Sequence, residues 1–123
     1  MFMLIAVIQP YRLERVRSEL LAGGVNGLTV CECVGSGRQP RFVSSLHGGP
    51  DIAELVPKVR IDVVVTASQL EIAIDAVQRG ARLGEIGDGK IFVSKIDKVV
   101  AVRTGWEDDH ALSESETWSE AAE

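Results

Sequence analysis

Residues 58–96 read KVRIDVVVTASQLEIAIDAVQRGARLGEIGDGKIFVSKI, and the changes of period within this one stretch decide the fold. Over 58–65 the chain alternates. Val59, Ile61, Val63 and Val65 point one way and Lys58, Arg60 and Asp62 the other, which is the period of a strand with one buried face. Ser68 and Glu71 have capping-box spacing, and Leu70, Ile74, Val77 and Ala81 then recur at helical intervals. Three glycines in 83–89 (LGEIGDG) end that helix, and 90–96 (KIFVSKI) returns to strand character.

The same alternation of elements extends toward the N-terminus. Residues 2–9 (FMLIAVIQ) are almost continuously apolar up to Pro10, as a central strand with two apolar faces requires. Leu13, Val16 and Leu20, with Arg12, Arg15, Arg17 and Glu19 between them, predict an amphipathic helix that Gly23-Gly24 ends. Residues 28–34 (LTVCECV) are strand formers enclosed by Gly27 and Gly35. Residues 35–57 hold four Gly, three Pro and three Ser without a sustained period, so 36–57 is read as a long mobile effector loop. On the other side, 98–103 (KVVAVR) is expected to be a short last strand, with Asp97 at the turn before it. The order predicts an α+β, ferredoxin-like βαββαβ sandwich: a four-stranded antiparallel sheet with both helices on one face. The other face has no helix to cover it although the first strand is apolar on both sides, so a second copy of the chain is expected there.

Thirteen Lys and Arg stand against eighteen Asp and Glu, a net charge of −5. Residues 106–123 (WEDDHALSESETWSEAAE) hold seven of those acids and no Lys or Arg, which leaves residues 1–105 at +2. A mildly basic body accepts anionic ligands that the whole-chain charge argues against. It falls far short of a nucleic-acid footprint, and the central strands offer only Phe2 and Phe92 for stacking, so nucleic acid is set aside as a partner. No apolar run is long enough to span a bilayer, and MFMLIAVIQP has neither a basic lead nor a small-residue cleavage site. A cytoplasmic protein with no direct membrane insertion is expected.

Gly84-Glu85-Ile86-Gly87-Asp88-Gly89-Lys90 is the strongest local signal. Glycines let backbone N–H groups converge into an anion-binding concavity, and Lys90 adds an ammonium beside it. The order helix, glycines, strand is the reverse of a dinucleotide fingerprint, and Lys90 is followed by Ile91 rather than by the Ser or Thr of a P-loop. On composition alone a glycine turn before a strand explains it equally well. Gly35-Ser36-Gly37-Arg38-Gln39, at the exit of the second strand, offers a guanidinium and an amide to carboxylate or phosphate, although Arg38 alone reads as a solvated loop start.

Read together, these clusters resemble the PII nitrogen-regulatory signalling proteins over residues 1–105. The likeness rests on Thr29-Val30, Gly35-x-Gly37-Arg38-Gln39, Leu55-Val56-Pro57-Lys58-Val59, Gly84-x-Ile86-Gly87-Asp88-Gly89-Lys90-Ile91-Phe92-Val93 and Arg103-Thr104-Gly105. The resemblance implies a compact homotrimer with ATP or ADP in each cleft between subunits. It implies that Gly87, Asp88, Gly89 and Lys90 cradle the phosphates, joined by Arg38 and Arg103. It places Thr29, Asp62 and Val64 near base and ribose, with Gly35 and Gly37 close by. It further implies 2-oxoglutarate at Gln39 and Lys58, with Mg2+ held by ATP, 2-oxoglutarate and Gln39 rather than by a protein metal site. The function implied is a non-catalytic sensor of adenine nucleotides in nitrogen and carbon metabolism. Its 36–57 loop would bind a target protein, a membrane transporter or a metabolic enzyme. Two alternatives stay open: a divergent regulator of a bicarbonate or metal transporter that binds ADP or AMP without 2-oxoglutarate, and a slow ATPase.

The departures bear on those alternatives. Ala101 stands where the family usually has an arginine of the phosphate-binding pair; losing a guanidinium removes charge-assisted bonds of roughly 1.5–3 kcal/mol, a loss that falls hardest on a triphosphate. Asp51 stands where many members carry a modifiable tyrosine, and Tyr11 is the only tyrosine, so nucleotidylation at that position is excluded. His47 stands where an arginine commonly enters the ammonium channel, which leaves the target open, as it leaves modification of Ser44 or Ser45. Neither His47 nor His110 lies in a rigid element that would frame it for phosphoryl transfer, so no catalytic residue is expected. Cys31 and Cys33 share one strand face at a Cα spacing of about 6.5–7 Å, beyond easy disulfide reach, and are expected to be buried structural thiols. The acidic tail 106–123, with Trp106 and Trp118, is expected to be solvated, or to fold back over the basic cleft.

Overall fold

The computed structural model describes residues 1–36 and 55–113. In chain order these form β1 (Phe2–Ile8), α1 (Leu13–Ala22), β2 (Thr29–Ser36), β3 (Leu55–Val65), α2 (Leu70–Ala81), β4 (Gly89–Lys95) and a short α3 (Asp108–Leu112). A 3-10 turn leads into each of the first two helices, Pro10–Arg12 before α1 and Ala67–Gln69 before α2. The strands make one antiparallel sheet in the order β2-β3-β1-β4, so β1 and β3 are central. Both long helices lie on one face, and the ferredoxin-like arrangement expected from the element order is the one observed.

The core lies between that face and the helices. Leu4, Ala6 and Ile8 of β1 and Ile61, Val63 and Val65 of β3 meet Val16, Leu20, Ala73, Ala76 and Val77, all within 1% of full burial. The two helices approach closely at Gly80. A Cβ there would sit 2.6 Å from the Cα of Val16, so only glycine permits this contact.

The other face of β1 carries Met3, Ile5 and Val7, half-buried by their neighbours in the sheet alone. Phe92, on the same face of β4 opposite Ile5, remains 54% exposed. The double-sided apolar character of β1 thus buries one set of side chains and leaves the other on a surface without a helix.

Three expectations change. Residues 98–103 form no strand: a single bridge between Val100 and Glu107 closes a narrow arm instead. The cap of α2 begins earlier than Ser68, because Thr66 N–H donates to Gln69 Oε1 at 3.1 Å and Ser68 turns its hydroxyl toward Thr66 Oγ1. The segment 36–57 is paired at both ends, with Ser36 opposite Leu55 and Val34 opposite Pro57. Pro57 is tolerated because β1 has ended beyond Val59 and that edge of β3 has no ladder to join there. The remainder of the expected loop and residues 114–123 lie outside the described residues.

Candidate functional site

The glycine loop between α2 and β4 is organised by its own carboxylate. Asp88 Oδ2 accepts N–H bonds from Leu83 at 2.8 Å, Gly84 at 2.8 Å and Glu85 at 3.2 Å. Burial acts to raise the Asp88 pKa, but the three amide donors and the charge of Arg12 outweigh it and hold the carboxyl below its ordinary value. Three amides of the loop therefore converge on a carboxylate of the same loop, and these donors are already satisfied within it. Gly89 then enters β4 at φ +120°, where a Cβ would lie 2.1 Å from the carbonyl oxygen of Val7; the strand pairing and the loop exit both require glycine.

Gly87 ties the loop to the sheet. Its carbonyl accepts from Gln9 Nε2 at 2.7 Å and from Lys58 Nζ at 3.3 Å. Lys58 is 8% exposed, and its stem passes so close to Gly35 that a Cβ there would be 3.0 Å from Lys58 Cγ. A buried ammonium is costly unless anionic or carbonyl oxygens lie close to it, and the Gly87 carbonyl is such an oxygen for Lys58. Gly35, Lys58, Gly87, Asp88, Gly89 and Lys90 thus lie toward one end of the sheet.

Strand register places the remaining residues. Lys90, Val7, Arg60 and Cys31 form one row across the helix-free face; Phe92, Ile5, Asp62 and Thr29 form the next; Ser94, Met3 and Val64 the third. Thr29, Asp62 and Val64 therefore share a face with Lys90 but lie two or three strands away, roughly 10–14 Å across the sheet. Arg60 bonds Asp62 at 2.8 Å, and this hydrogen bond and charge raise the Arg60 pKa above its usual value.

Arg103 is carried by an arm with a different root. It sits on the arm that leaves β4 where Ile96 N–H donates to Met1 O at 3.1 Å. That root is at the Phe2–Lys95 end of the sheet, whereas the glycine loop is at the Ile8–Gly89 end, six strand residues or about 20 Å away. The arm is a closed turn. Ala101 N–H donates to Trp106 O at 2.8 Å, Gly105 N–H to Ala101 O at 2.8 Å, and Trp106 N–H to Thr104 Oγ1 at 3.1 Å.

Three predicted positions, Gly37, Arg38 and Gln39, lie outside the described residues, as do Ser44, Ser45, His47, Asp51 and Trp118. The cysteines depart from expectation: Cys31 is exposed and Cys33 half-buried, because their strand face is the one without helices. Gln9, Arg12 and Arg60 are additional polar residues here that motif reading missed. Only the position of Gln9 before Pro10, which forces an extended backbone at the strand exit, was a usable signal. Beside the loop, a groove of about 450 Å3 runs between α2 and β4, floored by Ile8, Ile74, Val77, Ala81 and Ile91. Among the described residues no helix is long and apolar enough to cross a membrane.

Comparison with known proteins places the whole arrangement. Residues 1–106 match the family described as nitrogen regulatory protein P-II. The chain is 43% identical over 106 residues to nitrogen regulatory protein GlnK of Escherichia coli K12, covering 86% of this chain and 95% of that protein. It is 41% identical over 107 residues to nitrogen regulatory protein P-II of Klebsiella oxytoca, covering 87% and 96%. It is 43% identical over 100 residues to nitrogen regulatory protein P-II of Azospirillum brasilense, covering 81% and 89%.

Proposed function

We propose that this chain, which belongs to the nitrogen regulatory protein P-II family, is a non-catalytic cytoplasmic regulator that binds ATP or ADP in clefts between the subunits of a homotrimer. The observation that carries the reading is the division of its anion-binding residues. Gly87, Lys58 and Lys90 stand at one end of the sheet, and Arg103 stands on an arm rooted about 20 Å away at the other. Groups rooted so far apart meet at one phosphate group where the loop end of one copy meets the arm end of the next. The exposed Phe92 and the half-buried Met3, Ile5 and Val7 supply an apolar face for such an assembly.

The donor set fits a nucleotide. Lys90 and Arg103 suit phosphates, and Val64 with the row of Thr29 and Asp62 suits a base and a ribose hydroxyl. Lys58, buried beside Gly35, suits a dicarboxylate such as 2-oxoglutarate together with Gln39. Mg2+ would take its oxygens from ATP, 2-oxoglutarate and Gln39. Ligands act by differential affinity for conformations of the 36–57 segment, which binds or releases a target transporter or enzyme.

Ala101 favours a second reading. It offers only backbone to the arm, closing the turn through Trp106 O, where a guanidinium would have faced phosphate. Weaker retention of the terminal phosphate shifts preference to ADP or AMP, and a regulator of a bicarbonate or metal transporter that ignores 2-oxoglutarate follows. Calorimetry with ATP, ADP and AMP, with and without 2-oxoglutarate and Mg2+, separates the two; failure to bind any of them removes both. Turnover of ATP above a few per minute would point instead to a slow ATPase. The two-copy cleft has its own test. Lys90→Ala and Arg103→Ala chains are unfolded, mixed and reassembled. Recovery of nucleotide binding in the mixture is expected, because some clefts regain both cations. No recovery means both cations come from one chain.

A further inference from the structure

Residues 107–113 extend past the segment that matches the family, and they do not lie loose. Asp108 N–H donates to Val99 O at 2.8 Å, and Asp108 Oδ1 accepts from Val99 N–H at 3.2 Å. This pair closes the arm at its base. Asp108 adopts φ +54°, a conformation that Asp tolerates because its short carboxylate can bond nearby backbone. Lys98 Nζ lies 3.1 Å from Glu107 Oε1 beside it. α3 then turns back so that His110 stacks on Trp106, with ring centroids 4.0 Å apart and planes 11° from parallel.

Trp106 is also the residue whose backbone closes the turn holding Arg103, through Ala101 N–H and Thr104 Oγ1. The stack and the turn therefore share one residue. A short exposed turn that must be ordered when a ligand binds costs affinity. Here the aromatic stack and the Asp108–Val99 pair fix it in advance.

We infer that Trp106 and His110 form a clasp that positions Arg103 for a nucleotide phosphate, and that α3 is a positioning element for the nucleotide cleft. The inference rests on the nucleotide reading above. Trp106 and His110 are positioning residues: they act through the turn, and Arg103 is the group that meets the ligand. Their contribution is specific to phosphate-bearing ligands, because the base and ribose are met by Thr29, Asp62 and Val64 on the sheet.

The experiment is calorimetry of the full chain with ADP and with adenosine, on wild type, His110→Ala, His110→Phe, Arg103→Ala and the double variant His110→Ala/Arg103→Ala. Absence of ADP binding by wild type sinks the nucleotide reading. With wild type binding, His110→Ala is expected to weaken ADP by about two- to tenfold, the effect of one newly ordered side chain, and to leave adenosine unchanged. His110→Phe, which keeps a stacking ring, restores the affinity. The double variant is no weaker than Arg103→Ala alone, since the clasp acts through that side chain. Equal ADP affinity of His110→Ala and wild type overturns the clasp while the nucleotide reading stands. So does an equal loss for adenosine, or additivity of the two substitutions. Fluorescence in a Trp118→Phe background checks that the clasp itself opens: Trp106 emission shifts in His110→Ala and not in His110→Phe.

Discussion

The two ends of the sheet are built differently. At the glycine-loop end, Gln9 and Lys58 reach the Gly87 carbonyl from positions distant in sequence, while Asp88 ties three amides of its own loop. At the arm end, contacts are local. Val99 pairs with Asp108, Ala101 with Trp106 and Trp106 with His110, all within eleven residues of one another. The first end is part of the folding unit, because the Gln9 and Lys58 bonds to Gly87 close only when β1, β3 and β4 are assembled. The second can open without unfolding the sheet.

Substitutions that break this contrast should fall in a clear order. Gly89→Ala has the largest effect, more than about 3 kcal/mol, because it combines a left-handed backbone with a Cβ against the Val7 carbonyl. Its urea midpoint should fall steeply, and a midpoint near wild type would mean that the loop exit is free to relax. Asp88→Ala should lose about 1–3 kcal/mol at neutral pH, the worth of hydrogen bonds to a carboxylate in a half-exposed setting. The folded pKa of Asp88 is depressed, so its stabilisation is present above the unfolded value of 3.8 and disappears as pH falls through the lower folded value. The stability gap between wild type and Asp88→Ala should therefore be flat near neutrality and narrow only in acid; a gap that narrows on alkalinisation would contradict the assignment.

Gln9→Ala comes next, at about 0.5–1.5 kcal/mol, for the 2.7 Å bond to Gly87. Asp108→Ala should leave global unfolding within about 0.5 kcal/mol of wild type while the Val99 and Ala101 amides exchange faster. Equal effects of Gln9→Ala and Asp108→Ala on global stability would erase the contrast between the ends. Lys98→Ala, which removes an exposed ion pair with Glu107, should be smallest, about 0–0.5 kcal/mol and weaker still in high salt.

Much of this was legible in the chain. Alternation of apolar and charged residues over 58–63 gave β3 its faces, and Leu70, Ile74, Val77 and Ala81 gave α2, since period follows from local geometry alone. The glycine motif located the loop end. What was misread is informative. The 98–103 segment has strand composition, yet a strand needs a partner along its length, and among the described residues this one makes a single bridge, from Val100 to Glu107 of its own arm. The cysteines have apolar character, yet their exposure depends on which sheet face received the helices. Gln9 lies 78 residues from the carbonyl it bonds, a distance no motif spans.

The sequence by itself determined the elements, their order, the family likeness and the residue types able to meet an anion, because period, glycine placement and motif spacing are local properties. It did not determine what each group does. Asp88 turns out to bind its own loop, Lys58 to be buried against Gly87, and the arm that carries Arg103 to be rooted at the other end of the sheet from Lys90. Those assignments depend on strand order and register, which bring residues together through space, and only the tertiary structure supplies them.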